Sequence, residues 1–136
     1  MSVPYYPVLC IIRQELEQAY DNYPEWKCQH ATRAVAHVLA ETYALKEVAG
    51  IYVPEPSWHA WNYDPELKIC VDLSMDQFPG HPTKITILAA TTPLLKKDHK
   101  RTRQHKISMK EQPRRLEDVI NKSKDRAQSL CTSLTH

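Results

Sequence analysis

Apolar positions first recur at helical spacing. Over Val8–Tyr23, Ile12, Leu16, Ala19 and Tyr20 fall on one face, with Arg13, Glu15 and Glu17 on the other. Asn22-Tyr23-Pro24 breaks this run, since proline cannot continue a helix. A second helix is predicted from Pro24 or Glu25 to about Tyr43 or Leu45. Cys28, Ala31, Val35, Val38, Leu39 and Thr42 line its core face, and Cys28 lies in or near the first turn. The period then changes. Val48–Val53, Trp58–Tyr63, Lys68–Ser74 and Thr83–Ala90 read as strands, and Pro54–Ser57 and Phe78–Thr83 as loops. Asp64-Pro65-Glu66-Leu67 is a tight connection, so the second and third strands are expected to form an antiparallel hairpin. Lys96–Lys106 reads as an exposed basic loop. Arg114–Leu130, with Leu116, Val119, Ile120, Ala127 and Leu130, reads as an amphipathic terminal helix. The fold class expected is α+β, one domain over residues 1–136, with a core at about 8–92, a basic loop at 96–112 and a C-terminal helix at 114–131.

Composition narrows the chemistry. At 42% hydrophobic residues the chain can bury a core, and two glycines leave little for a Gly-rich phosphate loop. The net charge of +2 points to neither nucleic acid nor membrane. No apolar run reaches the ~20 residues of a membrane span, and the N-terminal stretch has no basic region of the secretory kind. Cys10, Cys28, Cys70 and Cys131 are widely spaced without a CxxC pair, which reads as reduced thiols in a cytoplasmic protein.

A thiolate is the reactive form of cysteine, and a free thiol with a pKa of ~8.5 is mostly protonated at neutral pH. A helix start favours the anion, and a histidine can hold the proton. Cys28 opens the second helix. His59 lies early in one hairpin strand and Asp72 on the other, where a carboxylate could fix the imidazole tautomer. Cysteine at a helix start and histidine in a strand are each more often packing residues. A carboxylate in an apolar strand is more telling, because burial without a partner is costly.

Two strings carry a family likeness. Trp58-His59-Ala60-Trp61-Asn62 and Val71-Asp72-Leu73-Ser74-Met75-Asp76-Gln77-Phe78 resemble the His and Asp blocks of the transglutaminase-like (papain-like) cysteine enzyme superfamily. Trp26-Lys27-Cys28-Gln29-His30-Ala31 resembles the helix start that holds the nucleophile there, and the likeness covers about residues 24–90. It implies Cys28 as nucleophile, His59 as general base and acid, and Asp72 as orienting carboxylate. It also implies helices packed on a small antiparallel sheet, and peptidase, glutamine deamidase, cross-linking or acyl-transfer chemistry through a thioester, with no cofactor and no metal. The expected partner is a peptide, protein or small amide substrate. Ser74 stands where threonine is common. The upstream glutamine that donates to the oxyanion in papain-like enzymes is left open among Gln14, Gln18 and Gln29.

Trp58 and Trp61 flank the expected base and, with Gln77, are candidate substrate contacts; core packing of at least one tryptophan is an equal reading, and closure of the sheet edge is the plainer one for Gln77. Cys28, His30 and His59 make a poor zinc set, since two of them point to different sides of one helix and no fourth ligand has regular spacing. The Lys96–Lys106 run has no interleaved aromatics to stack bases, so a nucleic-acid partner is not expected. The rival to an enzyme is a non-catalytic binding or adaptor domain on the same fold.

Overall fold

A computed structural model describes residues 3–98, 100 and 113–135. Among these, three helices pack with a curled five-stranded antiparallel sheet, an α+β arrangement. The helices are α1 (Tyr6–Ala19), α2 (Cys28–Val38) and α3 (Pro113–Thr135). The strands are β1 (Lys46–Tyr52), β2 (Ser57–Asp64), β3 (Ile69–Asp72), β4 (Thr86–Ala89) and β5 (Leu95–Lys97), in the order β4-β3-β2-β1-β5.

Leu9, Ile12 and Leu16 put a stripe of α1 wholly out of solvent, each worth about 1.5–3 kcal/mol of burial. They meet Ala31, Ala34 and Val35 of α2, Ile69 and Val71 of β3, and Leu116 and Val119 of α3. A smaller cluster holds Val48, Trp61 and Cys70, and another joins Tyr52, Met75 and Phe78. No helix among the described residues is long and apolar enough to cross a membrane.

Both early helices are shorter than their apolar periods. α1 begins at Tyr6, with Pro7 in its first turn, where proline has no helical hydrogen bond to break. It stops at Ala19 because Tyr20 is extended. Residues 21–26 form turns rather than the start of α2, and Trp26 sits at φ +58°, a left-handed conformation no helix can absorb. α2 therefore starts at Cys28 itself. It ends at Val38, because Leu39 leaves the helical region at ψ 0°, and Thr42 is exposed rather than core. Arg13 and Glu15, placed on the polar side of α1 by the pattern, are only 4% and 7% exposed.

The hairpin of β2 and β3 forms in the register Asn62↔Val71, Tyr63↔Cys70, Asp64↔Ile69. Asp64 organises its connection: Oδ1 accepts from the N–H groups of Glu66 and Leu67, and Oδ2 from the Tyr5 hydroxyl at 2.7 Å. The basic run is not all loop. Leu95–Lys97 is an edge strand on β1, with Lys96 and Lys97 exposed. Residues 99 and 101–112, the rest of the expected basic loop, lie outside the described residues. Gly50 is where β5 crosses β1: a Cβ there would stand 2.0 Å from the Lys96 carbonyl oxygen.

Candidate active site

Cys28 is the first residue of α2. Lys27 caps the helix without a side-chain bond, and the first turn carries no acidic residue, so no carboxylate there opposes an anion at the positive end of the helix. The side chain is buried among Ala49 of β1 and Ala60 of β2, with Trp58 packed on the group.

His59 is wholly buried. Its Nε2 meets Oδ2 of Asp72 at 2.5 Å, which leaves Nδ1 for other partners. The Cys28 thiol lies within hydrogen-bonding reach of the same imidazole. Burial works against the charged ring, but the Asp72 charge, its hydrogen bond and the contact with Cys28 together outweigh it, and the pKa is raised to about 10. Phe78 packs edge-on to His59 at 4.9 Å, and Trp61 lies nearly parallel to it at 6.2 Å. His59 and Asp72 are not opposite partners in the ladder. His59 lies three residues beyond the last registered pair of β2 with β3, Asn62↔Val71.

Asp72 is held by its own turn. Its Oδ1 accepts from the Ser74 backbone N–H at 2.8 Å and from the Ser74 hydroxyl at 3.2 Å, so Oδ2 is the oxygen turned to His59. The turn is anchored from outside. The Leu73 carbonyl accepts from Arg13 at 2.8 Å and from the Tyr23 hydroxyl at 2.6 Å. Arg13 also grips Asp76 through two bonds and reaches the Lys84 carbonyl, with its guanidinium 4.5 Å from the centre of the Tyr23 ring. Met75–Gln77 is a single 3-10 turn. From it the Gln77 amide nitrogen donates to the Ser74 carbonyl at 3.0 Å and stands 3.4 Å from His59 Nδ1.

Cys28, His59, Asp72 and Gln77 thus come together from α2, β2, β3 and the turn after it. The two tryptophans part. Trp58 packs on the Cys28 side, while Trp61, 3% exposed, fills the cluster with Val48 and Cys70. Gln14 accepts from Arg126 of α3, and Gln18 lines a cavity between α1 and α3, so neither joins the Cys28 group. Arg13, Tyr23 and Ser74 are members of the site that the pattern of the sequence did not single out; the Asp-x-Ser spacing of an Asx turn was the available signal for Ser74. Among the described residues no group of three or more His, Cys, Asp or Glu side chains could hold a metal ion. Cys70, also buried, has its thiol pushed up to about 11 by burial and by the Asp72 charge. No protein-family model, curated protein or solved structure matches this chain.

Proposed function

We propose that this chain is a cysteine enzyme of the transglutaminase-like (papain-like) type, which cleaves or transfers an amide or related acyl group through a thioester on Cys28. The observation that carries the reading is the buried His59–Asp72 bond made through Nε2, with the Cys28 thiol in reach of the same ring at the first residue of a helix. An antiparallel sheet with the cysteine-bearing helix laid on it agrees with the family likeness of the two strings around His59 and Asp72.

In this mechanism the ring of His59, protonated as its raised pKa requires, holds the Cys28 proton on Nδ1, and the sulfur attacks the substrate carbonyl carbon as a thiolate. The π pair moves to oxygen, and N–H groups at the start of α2 hold that oxyanion. Collapse restores the carbonyl and breaks the C–N bond, and the leaving amine takes the proton from His59. Water or a second amine then resolves the thioester. Asp72 keeps the ring in one tautomer and balances its charge, and Ser74 keeps Asp72 in place. Trp58, beside Cys28, would wall the acyl group; Trp61, behind the ring, would keep water from it.

The test is alkylation by iodoacetamide followed across pH, with the modified cysteine located by mass spectrometry. Rapid alkylation at Cys28, lost in His59→Ala, supports the reading. Cys70, held as a thiol by its raised pKa, is the internal comparison. If Cys28 reacts no faster than Cys70, the reading is overturned.

A further inference from the structure

The Ser74 carbonyl can only accept, so the Gln77 atom 3.0 Å from it must be the amide nitrogen. The network thereby fixes which end of the amide faces inward. An amide nitrogen carries two hydrogens. One is taken by Ser74, and the other belongs to a nitrogen 3.4 Å from His59 Nδ1, the ring atom left for Cys28. When the ring is neutral, Nδ1 can accept from Gln77. Once Nδ1 has taken a proton it is a donor, and two N–H groups then face each other with no acceptor between them. With the proton on Nδ1, the second Gln77 hydrogen is thus left for negative charge that forms next to the ring.

We infer that Gln77 is a catalytic residue, donating from Nε2 to the oxyanion that forms when Cys28 attacks a carbonyl. This rests on the reading of Cys28 as nucleophile. In the step, the C–S bond forms, the carbonyl π pair moves to oxygen, and the Cys28 proton resides on His59 Nδ1. The oxyanion accepts from Gln77 and from the start of α2, and collapse returns the pair to the C=O bond as the leaving group departs with the proton. The anchors on the turn serve this geometry: Arg13 holds Asp76, the residue before Gln77, and Leu73, the residue before Ser74. A donor preset in this way need not reorganise when the charge appears.

Two reagents separate this role from simple positioning of His59. Alkylation by iodoacetamide displaces iodide and forms no oxyanion; acylation by p-nitrophenyl acetate passes through one. Gln77→Ala and Gln77→Met, the second keeping length and apolar packing should the first fail to fold, are compared with the unchanged protein, with circular dichroism reporting the fold. The expected result is a fall of about 100-fold in the rate of p-nitrophenolate release, the loss typical of one oxyanion donor, with alkylation of Cys28 kept within about twofold. An equal fall in both rates would show that Gln77 acts through His59 and overturn the inference, as would no fall in either. Failure of Cys28 in the unchanged protein to react with either reagent would instead sink the nucleophile reading, and this inference with it.

Discussion

Arg13 of α1 and Asp76 of the turn after β3 are joined by two parallel hydrogen bonds, Nη1 to Oδ1 at 2.7 Å and Nη2 to Oδ2 at 2.8 Å. The guanidinium side chain is 5% exposed and also serves the Leu73 and Lys84 carbonyls. Removing it takes a donor from four groups, the Glu17 and Asp76 carboxylates and the Leu73 and Lys84 carbonyls. Arg13→Met is expected to lower unfolding stability in urea by about 3 kcal/mol, as for other buried pairs broken from one side. Arg13→Lys should recover little of this, because an ammonium cannot make the parallel pair. A loss below about 0.5 kcal/mol for Arg13→Met would mean that the turn holds its shape unaided.

His59 gives stability a pH dependence of defined sign. Its folded pKa of about 10 lies above the ordinary value of 6.5, so between those limits the folded chain holds a proton the unfolded chain has lost. The contribution is complete below about pH 6.5 and is lost as pH rises toward about 10. Urea titrations at pH 7, 8 and 9 should show a falling free energy, with a slope of up to about 1.4 kcal/mol per pH unit from this group. His59→Gln should flatten the slope. Tyr5, Tyr23 and Cys70, all raised by burial, steepen the decline at the alkaline end in both proteins, so the difference between them is the quantity to read. Equal slopes would show that His59 is neutral in the folded chain.

For the proposed reaction, His59→Gln should lower p-nitrophenyl acetate turnover by about 10²–10⁴-fold, the usual worth of a positioned base. Cys28→Ser keeps the size of the side chain and should abolish the burst of p-nitrophenolate. Asp72→Asn should cost less than either, because Ser74 still holds the side chain by its backbone N–H. Undiminished turnover in Cys28→Ser would place the chemistry elsewhere.

Gly50→Ala tests the edge of the sheet. The added methyl would stand 2.0 Å from the Lys96 carbonyl oxygen and 3.0 Å from the Lys97 Cα, both backbone atoms with no side-chain freedom to yield. We expect a loss of about 1–3 kcal/mol and release of β5. Hydrogen exchange would report it at the Asp98 amide, which donates to the Ala49 carbonyl, and at the Val53 amide just past β1, which donates to the Leu94 carbonyl. Unchanged protection at both amides would show that β5 shifts without detaching.

The parts of this molecule that could be read in the sequence are those whose partners lie close in the chain or whose spacing repeats. The strands β1, β2 and β3 emerged because Val, Ile, Tyr and Trp cluster between Pro and Asp turns, and His59 and Asp72 because thirteen residues and one hairpin separate them. Arg13 did not emerge. A periodic pattern assigns arginine to solvent, and its partner Asp76 is sixty-three residues away in a turn with no period at all. β5 was hidden for a related reason: an edge strand made of Leu95, Lys96 and Lys97 has the charge of a loop, which protects the edge from further pairing and conceals it from a hydrophobic pattern. α2 starts later than the pattern predicts, because Pro24 is a good first-turn residue, whereas the left-handed Trp26 that forbids a helix there leaves no mark in composition.

Phe78 stacks on Tyr52 at 4.0 Å and meets the His59 ring edge-on at 4.9 Å. It is also the only phenylalanine in the chain. Isotope-labelled phenylalanine would therefore place a single ring signal against the proposed base. Ring currents from His59 and Tyr52 would set its chemical shift, so that one resonance could follow the ionisation of His59, or the arrival of an acyl group on its neighbour, in the otherwise unaltered protein.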